Sequence, residues 1–244
     1  MDIKVLSTEV SSLIAAGEVI ESPSSVVKEL IENSIDAGSS RIIINTTEGG
    51  IRALSVSDDG RGIPSDQVSI AFKRYATSKV SVVGDLDRIN TLGFRGEALF
   101  SIAAVSNVKV TTKFTGDDFG TEAEIRDGNN IRQSPIGVPT GTTIKVEDLF
   151  SNFPARRKFL RSAVAEKGRV HKLVQKYALS NPSVSFNLVQ DGKDQLLTGG
   201  KGSVREVVSS IYGHRIASEM IEIDRSNLDP IWEGPVVTLS LIHI

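Results

Sequence analysis

The chain has 244 residues, 39% of them hydrophobic, enough for one large or two smaller domains around a real apolar core. Its 28 Lys and Arg against 30 Asp and Glu leave a net charge of −2, which excludes a uniformly basic nucleic-acid binder but leaves room for a local basic patch. The absence of cysteine excludes a disulfide framework, thiol catalysis and a cysteine zinc site, and three scattered histidines argue against a histidine metal cluster.

Taken in chain order, Asp2, Glu9 and Glu18 surround a short apolar piece at 13–16, which is neither the basic region nor the core of a signal peptide. No apolar run approaches the roughly 20 residues that cross a bilayer. The expected location is cytoplasmic, or nuclear in a eukaryote, with no membrane partner. Apolar residues at three- and four-residue spacing predict helices at about 9–16, 23–36, 65–74, 97–104, 165–179 and 203–212. Runs rich in Ile, Val and Thr predict strands near 41–47, 51–57, 107–114, 120–126, 141–147, 183–190 and 216–223. The strands from 107 to 147 follow one another without a helix, so the expected class is α+β, with helices on one face of a mixed, mostly antiparallel sheet. The glycine-rich stretch "LLTGGKGS" marks an expected boundary between a domain at 1–200 and the beginning of a second at 203–244, and the terminal "PVVTLSLIHI" reads as a strand without its partners.

The helix after Ser22, a good N-cap followed by Pro23, carries "ELIEN". Val26, Val27, Leu30, Ile31, Ser34 and Ile35 make its buried stripe, and Glu29 and Asn33 stack on the flank one turn apart. A solvated charged face accounts for that pair. So does a base that takes a proton from water beside a carboxamide oxygen offered to Mg²⁺. In "SVSDDGRGIP" a strand delivers Asp58 to its end, where Gly60 and Gly62 form a turn that lets a ligand approach and the carboxylate can accept from an exocyclic amine such as that of adenine. An ordinary Asp-Gly turn uses the same letters.

In "TLGFRGEALFSIAAVS", Gly93 and Gly96 flank a loop running into a helix start suited to a phosphate, or simply a glycine-tuned turn. Upstream, "YATSK" offers Thr77, Ser78 and Lys79. "PTGTTIKV" opens a strand in which Thr143 can bond to a phosphate or to the base-binding carboxylate, although threonine suits strands by shape alone. "GGKGS" fails the Walker pattern because Gly202 follows the lysine. From Pro154 to Lys176, eight basic residues face Glu166 alone: Arg156, Arg157, Lys158, Arg161, Lys167, Arg169, Lys172 and Lys176. This island either attracts phosphodiesters, with affinity falling steeply as salt rises, or is a plain basic helix face.

The order of these motifs, Glu-x-x-x-Asn on a helix, Asp-x-Gly-x-Gly after a strand, Gly-x-x-Gly-Glu before a helix and Gly-Thr-Thr on a strand, resembles the GHKL ATPases. Within them "IAAGEVIESPSSVVKELIENSIDAG", "TSK", "GFRGEAL" and "FPARRKFL" are similar to the MutL mismatch-repair family, from about Ile14 to Leu160 and more loosely to about Gly213. The resemblance implies an N-terminal fragment with an ATP site in a two-layer sandwich of helices on a mixed sheet, followed by the start of a ribosomal-protein-like domain. It makes Glu29 the general base, Asn33 the Mg²⁺ ligand and Asp58 the adenine contact. Gly60 and Gly62 line the pocket, Thr143 supports that end, and Thr77, Ser78, Lys79, Gly93, Phe94, Arg95 and Gly96 belong to the lid and phosphate loop. Asp59 stands where many relatives have Asn, with little expected effect. ATP then acts as a switch that closes a homo- or heterodimer and controls contacts with DNA and a MutS-type mismatch-recognition protein. The basic island makes Arg156, Arg157, Lys158 and Arg161 the expected DNA contacts.

The family's second domain contributes a lysine to the γ-phosphate that is not located here, so the chain is expected to bind Mg·ATP better than it hydrolyses it. Two other readings stay open. A nucleotide-gated binding module needs no useful turnover, and another GHKL branch such as a histidine kinase needs a phosphoacceptor helix, for which His171, His214 and His243 are poor candidates.

Overall fold

The structure is a computed structural model that describes residues 19–79, 91–93, 95–126 and 130–220. Ser22 sits in extended backbone and its side chain accepts from the Ser25 N–H, while Pro23 takes the first helical position, so the chain enters α1 (Pro23–Asp36) where its capping signals lie. The helix ends at Gly38, whose positive φ of 76° turns the chain out as its N–H returns to the Ile35 carbonyl. There follow β1 (Arg41–Thr47), β2 (Ala53–Asp58), α2 (Val68–Ala71), α3 (Ala98–Ala104), β3 (Asn107–Lys113), β4 (Gly120–Arg126), β5 (Asn130–Ile136) and β6 (Gly141–Glu147). The rest comprises α4 (Pro154–Phe159), α5 (Ala163–Ser180), β7 (Ser185–Gln190), β8 (Lys193–Leu197), α6 (Val204–Tyr212) and α7 (His214–Ser218).

The strands make one eight-stranded sheet in the order β5-β4-β3-β6-β2-β1-β7-β8. Among the described strands only β1 and β7 pair in parallel, as the long connection between them permits; every other neighbouring pair is antiparallel. Alternation gives the sheet one dry and one wet face. Ile42, Ile44, Leu54, Val56, Val108, Val110, Ile144, Val146, Phe186 and Leu188 are buried with Val26, Val27, Leu30 and Ile31 of α1 and Val170, Val174 and Ala178 of α5. Asn45, Ser55, Ser57, Lys109, Thr143 and Lys145 take the alternate positions, where Lys109 pairs with Glu122 across β3 and β4 at 2.9 Å. Each large apolar side chain so buried contributes about 1.5–3 kcal/mol.

The fold class is the expected α+β sandwich, with local departures. The expected strand at 216–223 is a helix over its described start, α7. Arg205 of α6 donates to the carbonyls of Ala217 and Met220 at 3.2 and 3.0 Å, satisfying the groups a helix C-terminus leaves open. Two strands without a sequence signal, β5 and β8, form the two edges of the sheet, where one row of backbone groups faces outward and apolar alternation is not needed; Pro135 in β5 suits such a place. The helix expected at 65–74 contracts to α2, and α4, whose residues are all at least partly exposed, gives no apolar period to read. The expected helix at 9–16, Phe94 and the terminal strand lie outside the described residues. Among the described residues no helix is long and apolar enough to cross a membrane.

Candidate active site

Asp58 ends β2 on the dry face of the sheet, beneath α1. Its Oδ2 lies 2.8 Å from the Ser34 hydroxyl, which has a second acceptor in the Leu30 carbonyl at 3.0 Å, and its Oδ1 accepts from the Gly60 N–H at 2.9 Å. Burial pushes the carboxyl above the ordinary carboxylate value, and the bonds from Gly60, Ser34, Ser39 and Thr142 only partly offset that. The glycines after it serve the protein's own backbone. A side chain at Gly60 would run into Ala37 and Ser39, and one at Gly62, where φ is +75°, would collide with the Lys113 carbonyl. The turn is pinned between the end of α1 and β3, and Asp58 is held with it. Asp59 looks the other way. It accepts from the Ser40 N–H and hydroxyl at 2.8 and 2.6 Å and from the Arg41 N–H at 2.8 Å. Burial pushes its carboxyl up, but these bonds outweigh it and hold the group below its ordinary value.

One turn of α1 beyond Glu29, the Asn33 Oδ1 accepts from the Lys79 ammonium at 3.1 Å. The same ammonium is 2.5 Å from Asp36 Oδ2 in a nearly buried ion pair, the lysine side chain 15% and the aspartate 5% exposed. Asp36 also accepts from the backbone N–H groups of Leu92 and Gly93 at 3.0 and 3.2 Å. Thus α1, the 77–79 turn and the loop before α3 meet on one carboxylate. Gly96 packs that loop onto the Tyr75 and Ala76 backbone, and Glu97 pairs with Arg74 at 3.2 Å. Thr77 closes a local turn by accepting from the Lys79 N–H at 3.1 Å; Ser78 and Arg95 are exposed. The oxygen of Asn33 therefore already faces a cation, and a neutral oxygen so placed suits a hard divalent ion. Among the described residues no group of three or more His, Cys, Asp or Glu is placed to hold a metal, so an ion here would rest on Asn33 together with oxygens from substrate and water.

Glu29 is 23% exposed at its side chain and its Oε1 is 3.1 Å from the Lys28 ammonium. Thr143 does not point toward Asp58. It pairs with Ser57 across β2 and β6 and its hydroxyl donates to Ser57 Oγ at 3.0 Å, on the wet face. Its neighbour Thr142 is the residue in register with Asp58, and its hydroxyl is 3.0 Å from that of Thr112.

Residues 20–150, more than half of the chain, match the family model described as histidine kinase-, DNA gyrase B- and HSP90-like ATPase. The chain belongs to that ATPase family. Within the family its likeness is to the MutL type. The DNA mismatch repair protein MutL of Streptococcus pneumoniae serotype 19F and the mismatch repair protein HexB of S. pneumoniae serotype 4 are each 49% identical over 216 residues, 88% of this chain. The chain spans about a third of the length of these relatives, 33%. Among solved structures it is similar to the Aquifex aeolicus MutL ATPase domain complexed with ADP, at TM-score 0.65 and 34% identity over 80% of this chain and 70% of that one. It is also similar to the N-terminal domain of a DNA repair protein, at TM-score 0.71 and 30% identity over 87% and 63%.

In this ATPase family setting, three residues join the site that sequence reading did not single out. Ser34 falls in the apolar stripe by its spacing, yet a hydroxyl amid Leu30 and Ile31 is itself a sign of a buried polar partner. Thr142 shares the alternation of Ile144 and Val146, and so the face of Asp58. Asp36 is one helical turn past Asn33 and follows from extending the same stacking argument. The basic island divides between α4 and α5. Arg157, Lys158 and Arg161 are exposed, but Arg156 turns inward over the Phe153 ring at 5.8 Å with Nη1 buried. Lys167 is held by Asp191 at 3.0 Å and Arg169 by Glu166 at 3.3 Å.

Proposed function

We propose that this chain is the nucleotide-binding part of a MutL-type mismatch-repair protein, binding Mg·ATP and hydrolysing it slowly as a conformational switch. The observation that carries the reading is the convergence on α1. A single helix carries Glu29, Asn33 and Asp36 along one flank and turns Ser34 to Asp58, and draws in Lys79 and Gly93 from two loops. The match to the ATPase family and the likeness to a MutL ATPase domain complexed with ADP support it.

In this reading the Asp58 carboxylate accepts the exocyclic amine of adenine, fixed for that task by Ser34, Gly60 and Thr142. At the other end, Lys79 and the N–H groups of Leu92 and Gly93, which donate to Asp36 in the structure, exchange that carboxylate for the phosphates when nucleotide binds. Asn33 would offer its oxygen to Mg²⁺, which would supply neutralisation of phosphate charge. The Glu29 carboxylate takes the proton of a water whose oxygen bonds to the γ-phosphorus while the β,γ-bridging oxygen departs with ADP. Thr77, Ser78, Arg95 and Gly96 belong to the same phosphate end, and Phe94 completes that motif. Dimer closure, DNA binding by the α4 region, a MutS-type partner and a cytoplasmic or nuclear location complete the proposal.

Glu29→Ala separates hydrolysis from binding. The expected result is unchanged affinity for a non-hydrolysable ATP analogue with phosphate release lowered by about 10²- to 10⁴-fold, the range typical of a lost general base. Wild-type phosphate release from Glu29→Ala would remove the base assignment, and loss of binding would make Glu29 structural.

A further inference from the structure

Adjacent residues on a helix point about 100° apart and do not ordinarily face one another. The Lys28 ammonium nevertheless reaches Glu29 Oε1 at 3.1 Å, and what brings it there is Glu32, whose Oε2 it contacts at 2.7 Å. Glu32 is an unusual carboxylate, with a side chain only 10% exposed. A carboxylate so withdrawn from water needs its oxygens occupied, and its other oxygen, Oε1, accepts from the Tyr177 hydroxyl at 2.5 Å. Tyr177 comes from α5, on the far side of the α1–α5 contact. Burial, then the bond to Glu32 and the charges of Glu32 and Glu29, push the phenol far above its ordinary value, so it stays a donor throughout the working pH range. On Lys28, partial burial is outweighed by Glu32 and Glu29, which hold the ammonium protonated.

We propose that Tyr177, Glu32 and Lys28 form a positioning chain that fixes the carboxylate of Glu29, so that α5 sets the orientation of the hydrolytic base on α1. The chain runs from the Tyr177 hydroxyl to Glu32, from Glu32 to Lys28, and from Lys28 to Glu29. Each link has one job. Tyr177 holds Glu32 against α5, Glu32 fixes the ammonium, and the ammonium occupies Oε1 of Glu29, leaving Oε2, which has no partner among the described residues, as the acceptor for a water proton. Lys28, Glu32 and Tyr177 are positioning residues that touch no substrate, so their loss affects the rate of the proton-transfer step and spares nucleotide affinity. The inference rests on the reading of Glu29 as the base.

The test is single-turnover hydrolysis with the chain in excess over labelled ATP, run beside affinity for a non-hydrolysable analogue and the melting temperature. Lys28→Met is expected to slow hydrolysis about 10-fold and Tyr177→Phe about 3-fold, short of the roughly 10²-fold that a 1 Å misplacement can cost. Affinity stays within about 2-fold in both, and Lys28→Arg, which keeps the charge, recovers most of the rate. A purely structural α1–α5 clamp would instead lower melting temperature and affinity together with the rate, and that outcome overturns the proposal, as does a wild-type rate in both variants. Glu29→Ala is the control that separates the two levels. If it is inactive while Lys28→Met and Tyr177→Phe match wild type, only the positioning chain falls. If it hydrolyses ATP as fast as wild type, the base assignment falls and takes the chain with it.

Discussion

Asp58 shows how a single side chain can be placed at a cost to the fold. Its carboxyl is raised by burial, so the protonated form is the one the fold favours. The stability contribution of protonation is fully present below the unfolded-state value near 3.9 and is lost as pH rises through the higher folded value. At neutral pH the ionised Asp58 therefore stabilises the fold less than its protonated form does, and in the proposed reading its acceptor capacity is what the site uses. Asp58→Asn is expected to melt at or above the wild-type temperature while weakening nucleotide binding by about 10-fold or more, the worth of a hydrogen bond to a charged group. Wild-type affinity should rise with pH through the raised Asp58 value, and that slope should vanish in Asp58→Asn. Thermal melts and nucleotide titrations across acidic to neutral pH measure both. An Asn variant that melts well below wild type, with affinity intact, would assign Asp58 to the fold instead.

At the scale of elements, α1 is the organising piece, and it was legible because its signals agree: Ser22 and Pro23 at the start, an apolar stripe at helical spacing, Gly38 at the end. The central strands were legible for the same reason, being half-buried and alternating. The edge strands β5 and β8 were not, because an edge needs no alternating face, and α7 was not, because its stop depends on Arg205 reaching back from α6. The short α4 carries its information in charge rather than in period. With Arg157 and Lys158 exposed and Arg156 turned over Phe153, DNA affinity is expected to fall with salt. Replacing both Arg157 and Lys158 with Ala should flatten the logarithmic salt slope by about 0.9 for each duplex phosphate the chain no longer neutralises. Fluorescence-based titrations at several salt concentrations read that slope; an unchanged slope would place any DNA-binding surface elsewhere on the chain.

Across the whole molecule, residues far apart in sequence meet because the sheet places β2 and β6 side by side under α1, while the 77–79 turn and the 91–93 loop close on its C-terminal turn. The motif order identified which stretches belong together, but not which side chains within them point inward. Thr142 rather than Thr143 stands in register with Asp58, a difference of one residue that decides the face of a strand. Asp36, which no motif singles out, ties Lys79, Leu92 and Gly93 to the helix. Its role becomes visible only when the two loops are in place. The central claim is that this assembly is one triphosphate site. The most direct measurement is an equilibrium titration of the chain with a non-hydrolysable ATP analogue, with and without Mg²⁺, on wild type and Asn33→Ala. The account predicts saturable single-site binding that Mg²⁺ tightens in wild type, with the Mg²⁺ effect gone in Asn33→Ala. Folded protein that fails to bind the analogue, or an Asn33→Ala variant with the full Mg²⁺ effect, would contradict it.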